Sequence, residues 1–597
     1  MSPLHRFVAH AIVVCLWPIS LVACGQQQSA RASATDAGNS NASVESRPPL
    51  ARIAPGIPLD LGYIDRTSPA FARFRRWVDS AVAGDPGYAF SAYDAAVLYR
   101  LDPQKKYCDL AVTMIEREVE DAEAAIADGR APDIAGDSYL DVGPRIAALS
   151  MTLDTCKADI DDARRARWSA YAEQAVWNVW HYLRAHWGGR PRPWTGWSID
   201  NPGNNYHYSF IEATLYWALA SGNNDWMRFL YDEKMPPLQA YFAELPGGGS
   251  LEGTGYGAAH MRLFALYRLW RDATGDDIAN ANPHADDSIA YWTHATVPTM
   301  DRFAPIGDQS RSSIPEIYDY HRRLVLEARA LSKNARSQAL ASWWLHRISI
   351  PQMSNGFNTL HDLLPSGDAD APAPESLFHH AEGTGHLFAR SDWDKDAMWL
   401  AFVAGPYNES HAHEEQGGFT LFAHDWLAVT ENIWTHSGIQ QGTETHNVLR
   451  FERGTTDRRV IVHQRQPGTS RMTVAAGADG TLHVDADLSG AYGDDAQVRR
   501  WTRALDFAGR SLRVEDRFSI DPGSRAVFQL NVPVEPRIDG RTATAGRLRV
   551  RVIAPTDASL SKLDWRSVDG EEFRSGWRLD ISGGTDTYVV ELEELSN

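Results

Sequence analysis

Apolar residues recur at three- and four-residue spacings through most of residues 68–344, the period at which one face of a helix meets a core. Phe71, Trp77, Val78 and Val82 show it in the first stretch. The spacing predicts helices that include Phe71–Ala83, Phe90–Leu101, Lys105–Ile126, Ala163–His186, Tyr206–Ala220, Trp226–Phe242, Tyr256–Ala273 and Ile317–Leu331, with Gly, Pro and Asp breaks between them. Helices of this length and number, joined by short loops, suit a helical toroid or solenoid. No strict internal repeat marks a consensus solenoid.

Beyond the string Asp-Ala-Asp-Ala-Pro-Ala-Pro at 368–374 the period changes. Met398–Val403, Phe419–Phe422, Val460–His463, Arg471–Ala475, Thr481–Ala486, Leu512–Phe518, Ala526–Val532, Leu548–Ile553 and Tyr588–Leu592 are short β-branched or aromatic runs. Gly, Asp and Pro separate them, as in an antiparallel sandwich. Helices first and strands second give segregated domains rather than an alternating α/β sheet. The expected division is a helical domain over 56–374 and an antiparallel β-sandwich over 375–597.

The N-terminus bears on location. His5, Arg6 and His10 precede an apolar run from Ala11 to Ala23 that only Pro18 and Ser20 interrupt. It is too short to span a bilayer and has the layout of a secretory signal over 1–23. The run ends Leu21-Val22-Ala23-Cys24-Gly25, which resembles a bacterial lipobox. The resemblance implies lipidation of Cys24 and, with Gly25 following, anchoring to the outer membrane, in the periplasm or at the cell surface. Residues 24–55, rich in Ser, Ala, Asn and Gln, read as a flexible tether. After Cys24 only Cys108 and Cys156 remain in the mature chain; in an oxidising compartment they could pair, or stay as two buried thiols. So few cysteines exclude a Cys-based zinc framework.

The formal charge of −19 argues against a nucleic-acid partner, which wants a basic surface. It leaves an acidic substrate open, because a cleft can be locally basic on an acidic protein. The 21 Trp and 21 Tyr residues suit either large cores or the stacking of sugar faces on aromatic rings.

Four short segments hold the residue types that proton chemistry needs. They are Asn204-Asn205-Tyr206-His207, Leu251-Glu252-Gly253-Thr254-Gly255-Tyr256, His411-Ala412-His413 with Gly417-Gly418-Phe419, and His446-Asn447. Each alone has an ordinary reading: a helix cap, a core tyrosine, surface histidines. Their order is what resembles a family, the heparinase II/III-like polysaccharide lyases, which include heparin, alginate and related uronate lyases. Ala304-Pro305-Ile306-Gly307-Asp308 is similar to a connecting motif there. Phe388-Ala389-Arg390-Ser391-Asp392-Trp393 and Thr445-His446-Asn447-Val448-Leu449 look like strands of its second domain.

The resemblance implies an incomplete (α/α) toroid followed by antiparallel β-sheets, acting on a uronate-containing acidic polysaccharide by β-elimination. Abstraction of the uronate C5 proton is resisted by the adjacent carboxylate, so that group must be neutralised or hydrogen-bonded. Asn205 and His207 suit the task, with Asn204 the alternative to Asn205. A base must take the proton and an acid must protonate the departing O4. Tyr256 and His411 are the implied pair; a tyrosine needs a nearby positive charge to act as a base. Glu252, Trp194 and Trp197 are candidate substrate contacts, the tryptophans from the Arg/Trp-rich loop 190–197. No cofactor is required for catalysis. Some family members hold a structural zinc, for which His413, Glu431 and His446 are the matching ligands here. Two rivals stand beside this reading. A glycoside hydrolase would need paired carboxylates such as Glu252, Asp308 or Glu212, and a surface glycan-binding lipoprotein would bind without product.

Overall fold

The computed structural model describes residue 50 and residues 52–309, 315–455, 458–493 and 497–595. The signal segment, Cys24 and most of the tether lie outside the described residues. Leu50 and Ile53 pack against the helical core, and the Ala54 N–H bonds the Ala273 carbonyl, so the chain is already docked before residue 55. Among the described residues no helix is long and apolar enough to cross a membrane.

Helices occupy the first part: α1 (Pro69–Val82), α2 (Ala92–Leu101), α3 (Lys105–Ala127), α4 (Val142–Thr155), α5 (Asp162–Trp180), α6 (Asn205–Ser221), α7 (Asn224–Phe229), α8 (Met235–Ala243), α9 (Gly253–Tyr256), α10 (His260–Thr274), α11 (His284–Ala295), α12 (Asp319–Leu331) and α13 (Ala335–Leu345). Side-chain caps start several of them. Ser68 accepts the Phe71 N–H at the head of α1, and Asn204 accepts the Tyr206 N–H at the head of α6. α6 is buried almost all round, from His207 to Leu219, and packs on α4, α5, α7 and α10. A helix apolar on every side belongs in the middle of a bundle. Its N-terminus is therefore presented from the centre of the helical layer.

Three helices were not singled out from the sequence: α4, α11 and α13. α4 is buried on nearly every face, so it has no polar stripe to reveal its period. The helix expected to run to His186 stops at Trp180. A short turn follows, and His186–Trp187 pairs antiparallel with Arg190–Pro191. Cys108 on α3 and Cys156 at the end of α4 are joined in a disulfide.

Beyond residue 377 the chain forms antiparallel sheets. The first runs in sequence order: Phe378–Ala381, His386–Arg390, Trp399–Val403, Phe419–Ala423 and Asp425–Ala428. A second five-stranded sheet orders Arg458–Ile461, Leu449–Thr455, Ser524–Val532, Trp577–Ser582 and Ser559–Asp564. The largest has eight strands, ordered Arg471–Ala476, Leu482–Asp487, Val498–Ala508, Ser511–Ile520, Thr587–Glu594, Leu548–Ala554, Thr542–Ala545 and Arg537–Asp539. Its strand Val498–Ala508 escaped the sequence reading because an inward position carries a charge. Arg503 is fully buried and paired with Asp516 at 2.8 Å.

The first sheet is fastened to the helices. Arg390 donates to the carbonyls of His294 (3.1 Å) and Thr296 (2.7 Å), and the Trp399 indole donates to His294 (2.9 Å). One apolar cluster runs from α11 into Phe388, Trp399 and Phe422, so the two regions share a core across their seam.

Candidate active site

The four segments singled out from the sequence converge at this seam. Asn204, while capping α6, sends its Nδ2 to Glu252 Oε1 at 3.1 Å. The Asn205 N–H also bonds the Glu252 carboxyl, which therefore sits at the positive end of a long helix. Glu252 leads into α9, which lies directly against residues 304–309. The Thr254 N–H reaches the Ile306 carbonyl at 2.8 Å and its hydroxyl the Ala304 carbonyl at 2.6 Å.

Two glycines make that approach feasible. At Gly253, with φ +87°, an added Cβ would stand 2.2 Å from the Ile306 oxygen. At Gly307, with φ +66°, it would stand 2.7 Å from the Glu252 carbonyl and 2.8 Å from the His411 carbonyl. Any side chain here would push three backbones apart. The Gly-x-Gly spacing before Tyr256 and the glycine before Asp308 are thus parts of one contact.

Tyr256 and His411 stack face to face, with ring centroids 3.6 Å apart and 6° between planes. His411 Nδ1 lies 2.8 Å from Asp308 Oδ2, and Nε2 lies 3.8 Å from Glu252 Oε1. Asp308 Oδ1 accepts from His413 Nε2 at 2.7 Å and from Gln441 Nε2 at 3.1 Å. Burial works to raise the Asp308 carboxyl, yet the hydrogen bonds from His411 and His413, aided by Gln441, hold it down at about 2.

Glu252 is the opposite case. Only 1% exposed, it is pushed well above the ordinary carboxyl range by burial and then by Glu409 and Asp308, against the Asn205 N–H. Two carboxyls in one site, one held ionised and one driven toward its protonated form, is an arrangement found where acid and base roles are divided. Glu409 reaches in from the sheet region, accepting from Asn201 Nδ2 at 2.9 Å and the Tyr241 hydroxyl at 3.3 Å. Sequence reasoning passed over Glu409, Asn201, Tyr241 and Gln441, and it took Asp308 only as part of a connecting segment or a rival carboxylate. The one local signal was that Glu409 stands two residues before His411.

The remaining expected site residues are placed as follows. The Asn205 Oδ1 is buried with no hydrogen-bond partner among the described residues. His207 lies two residues further along α6, with Nδ1 3.2 Å from the Ser198 carbonyl and its ring edge-on to Trp180. Burial, helped by Lys234, pushes it down to about 4, so at neutral pH it is uncharged. Its Nδ1 is tied to the 194–204 loop, while its buried Nε2 has no hydrogen-bond partner among the described residues. Trp194 is a packing residue, its indole donating to the Asn178 carbonyl at 3.0 Å and its ring against Tyr139 and Phe210. Trp197 on the same loop is 46% exposed.

Of the three residues expected to hold zinc, two meet and the third lies apart. His413 Nδ1 and His446 Nε2 face each other directly at 3.1 Å, and His446 Nδ1 meets the Thr430 hydroxyl at 3.0 Å. Glu431 turns the other way, its carboxylate against Gly576, with Asp564 and Arg578 as its charged neighbours. A continuous stretch of chain sends Thr430 to one side and Glu431 to the other. Among the described residues no group of three or more His, Cys, Asp or Glu side chains is spaced to hold a metal ion.

No family model matches the chain, and no curated protein sequence does. Solved structures do. The heparan sulfate lyase HepC of Pedobacter heparinus superposes with a TM-score of 0.54 at 14% identity, covering 89% of this chain and 84% of that one. A crystal structure of heparinase III gives 0.56 at 14% identity, over 84% of this chain and 75% of the other. A further heparinase III gives 0.55 at 11% identity, over 87% and 84%. The chain has the heparinase III fold. This heparinase-like architecture, a helical toroid followed by antiparallel sheets, is the one the order of sequence motifs implied, and it puts Tyr256 and His411 where its two regions meet.

Proposed function

We propose that the protein is a polysaccharide lyase that cuts a uronate-containing acidic polysaccharide by β-elimination. The observation that carries this reading is the Tyr256–His411 stack, backed by Asp308 and faced by the head of α6. Elimination needs two proton transfers and a way to stabilise charge. In the proposed sequence the C5–H bond breaks and its proton passes to a base. The freed electron pair forms the C4–C5 double bond, the C4–O4 bond breaks, and the departing oxygen takes a proton from an acid. Tyr256 and His411 share these two transfers. Asn205, with Asn204 and Glu252 beside it, supports the uronate carboxylate by hydrogen bonding where charge develops. Trp197, exposed at the loop tip, offers a face for a neighbouring sugar ring.

Every proposed step uses protein side chains. On the same reading the protein works outside the cytoplasm, held to the outer membrane through lipid on Cys24.

The decisive experiment is digestion of a panel of acidic polysaccharides (alginate, glycosaminoglycans, a glucuronan) with ultraviolet absorbance and product masses followed together. Elimination yields a conjugated unsaturated uronate that absorbs. Hydrolysis adds water and gives no such product. Chain cleavage without absorbance would establish a hydrolase, and binding without cleavage a glycan-binding protein.

A further inference from the structure

Behind His411 lies a hydrogen-bonded chain that the proposed proton transfers do not use directly. Asp308 sits between two imidazoles, 2.8 Å from His411 Nδ1 and 2.7 Å from His413 Nε2, with the Gln441 amide at 3.1 Å. Three nitrogens converge on one carboxylate, and a carboxylate can only accept. Both ring nitrogens that face it therefore carry their protons. For His411 this fixes the tautomer: Nδ1 is protonated, and in the neutral ring Nε2 holds the free lone pair, on the side of Glu252. The contacts continue inward. His413 Nδ1 meets His446 Nε2 at 3.1 Å, and His446 Nδ1 meets the Thr430 hydroxyl at 3.0 Å, that hydroxyl donating to the Thr445 carbonyl at 3.1 Å. His413 and His446 are buried, so the chain cannot rearrange by exchanging partners with solvent.

The backbone adds a second tie. The Asp308 N–H donates to the His411 carbonyl at 2.8 Å. Preceding it, the Gly307 N–H donates to Glu415 Oε1 at 2.7 Å, and the Gly307 carbonyl accepts from Asn432. Main chain and side chain of Asp308 thus grip the same residue from two directions.

We propose that Asp308 is the positioning residue of the Tyr256–His411 pair, holding His411 in the tautomer that leaves Nε2 open, and that the buried His413–His446 couple orients Asp308. This rests on the lyase reading above. Asp308 touches neither substrate nor reacting atoms; it acts through His411, as outer partners of a working histidine do.

The test compares wild type, Asp308→Asn and His446→Gln, with kcat and KM measured on the polysaccharide the wild type cuts and folding followed by circular dichroism and melting. The amide that Asp308→Asn introduces would present an NH2 group to one of the two ring N–H donors, so one imidazole must change tautomer. Expected for Asp308→Asn is a fall in kcat of about 10–100-fold, KM staying near the wild-type value and the fold intact. His446→Gln should shift kcat in the same direction by less, and it carries the test if Asp308→Asn does not fold. Normal kcat in a folded Asp308→Asn protein overturns the proposal. So does loss of activity that only follows unfolding in both variants, because that is a structural role. A wild type that yields no unsaturated product from any substrate instead overturns the lyase reading, and this inference with it.

Discussion

The phenol ring of Tyr256 lies flat on the imidazole of His411, 3.6 Å between centroids, although one residue comes from a short helix and the other from a loop of the sheet region. Rings in such contact cannot be displaced singly. If they share one proton-transfer sequence, their removal should not be additive. Tyr256→Phe removes only a hydroxyl and keeps the stack, so folding should survive while kcat falls by roughly 10²–10⁴-fold. His411→Ala should cost a similar factor, and the double variant little more than either. Near-normal elimination by folded Tyr256→Phe would sink the assignment.

Glu431 is fully buried, and both its oxygens lack a hydrogen-bond partner among the described residues. Burial, then Asp564, push its carboxyl well above the ordinary range against the pull of Arg578. A group raised in the fold contributes stability below its unfolded value and loses it as pH rises toward the folded one. Glu431→Gln should therefore melt higher than wild type near pH 8, the gap closing toward about pH 4.5. Metal analysis of the same variant is the control. A zinc ligand would behave in the opposite way, losing both metal and melting temperature.

Several histidines are buried in uncharged form. Burial lowers His207 and His284 to about 4 and His321 and His386 to about 3. The unfolded chain takes up these protons first, so stability should decline as pH falls below about 6.5 and keep declining toward the folded values. A shift from 6.5 to about 4 corresponds to about 3 kcal/mol for one residue. Urea unfolding midpoints should drop markedly between about pH 7 and pH 5; midpoints flat across that range would contradict the buried neutral state.

Trp197 projects from the loop that His207 supports through the Ser198 carbonyl. If it stacks on sugar, Trp197→Ala should raise KM several-fold while kcat moves little. Trp194→Ala should instead lower the melting temperature, since that ring fills the loop's packing. A Trp197→Ala enzyme with normal KM and low kcat would place the residue in a different role.

Lipidation makes a separate claim, because Cys24 lies outside the described residues. Cys24→Ser should leave the protein without lipid and move it from the membrane fraction to the soluble one. Identical fractionation of both forms, with no lipid on the wild type, would end the claim.

The fold was legible because its two halves differ in period, helical spacing giving way to short β-branched runs after residues 368–374. Among the elements that escaped are two whose surroundings hide the period: α4, buried on nearly every face, and the strand carrying Arg503 inward. In the site, Tyr256 and His411 were readable from motif order, and so was the cap formed by Asn204. For His207 the residue type was readable, and the structure adds its setting, with Nδ1 on the Ser198 carbonyl and its ring edge-on to Trp180. Of the candidate zinc set the structure brings His413 and His446 together, while Glu431 points to the opposite side from its neighbour Thr430. Glu409, Asn201 and Tyr241 carry no motif, and only their meeting in space marks them.

The strand Thr587–Glu594 lies inside the eight-stranded sheet, between Ser511–Ile520 and Leu548–Ala554. That sheet packs on one face of the first sheet, through residues such as Leu400 and Leu421, so its closure completes a second apolar cluster. Both partners of Thr587–Glu594 precede it in the sequence, so closing this sheet requires non-local pairing, the kind of step that slows folding.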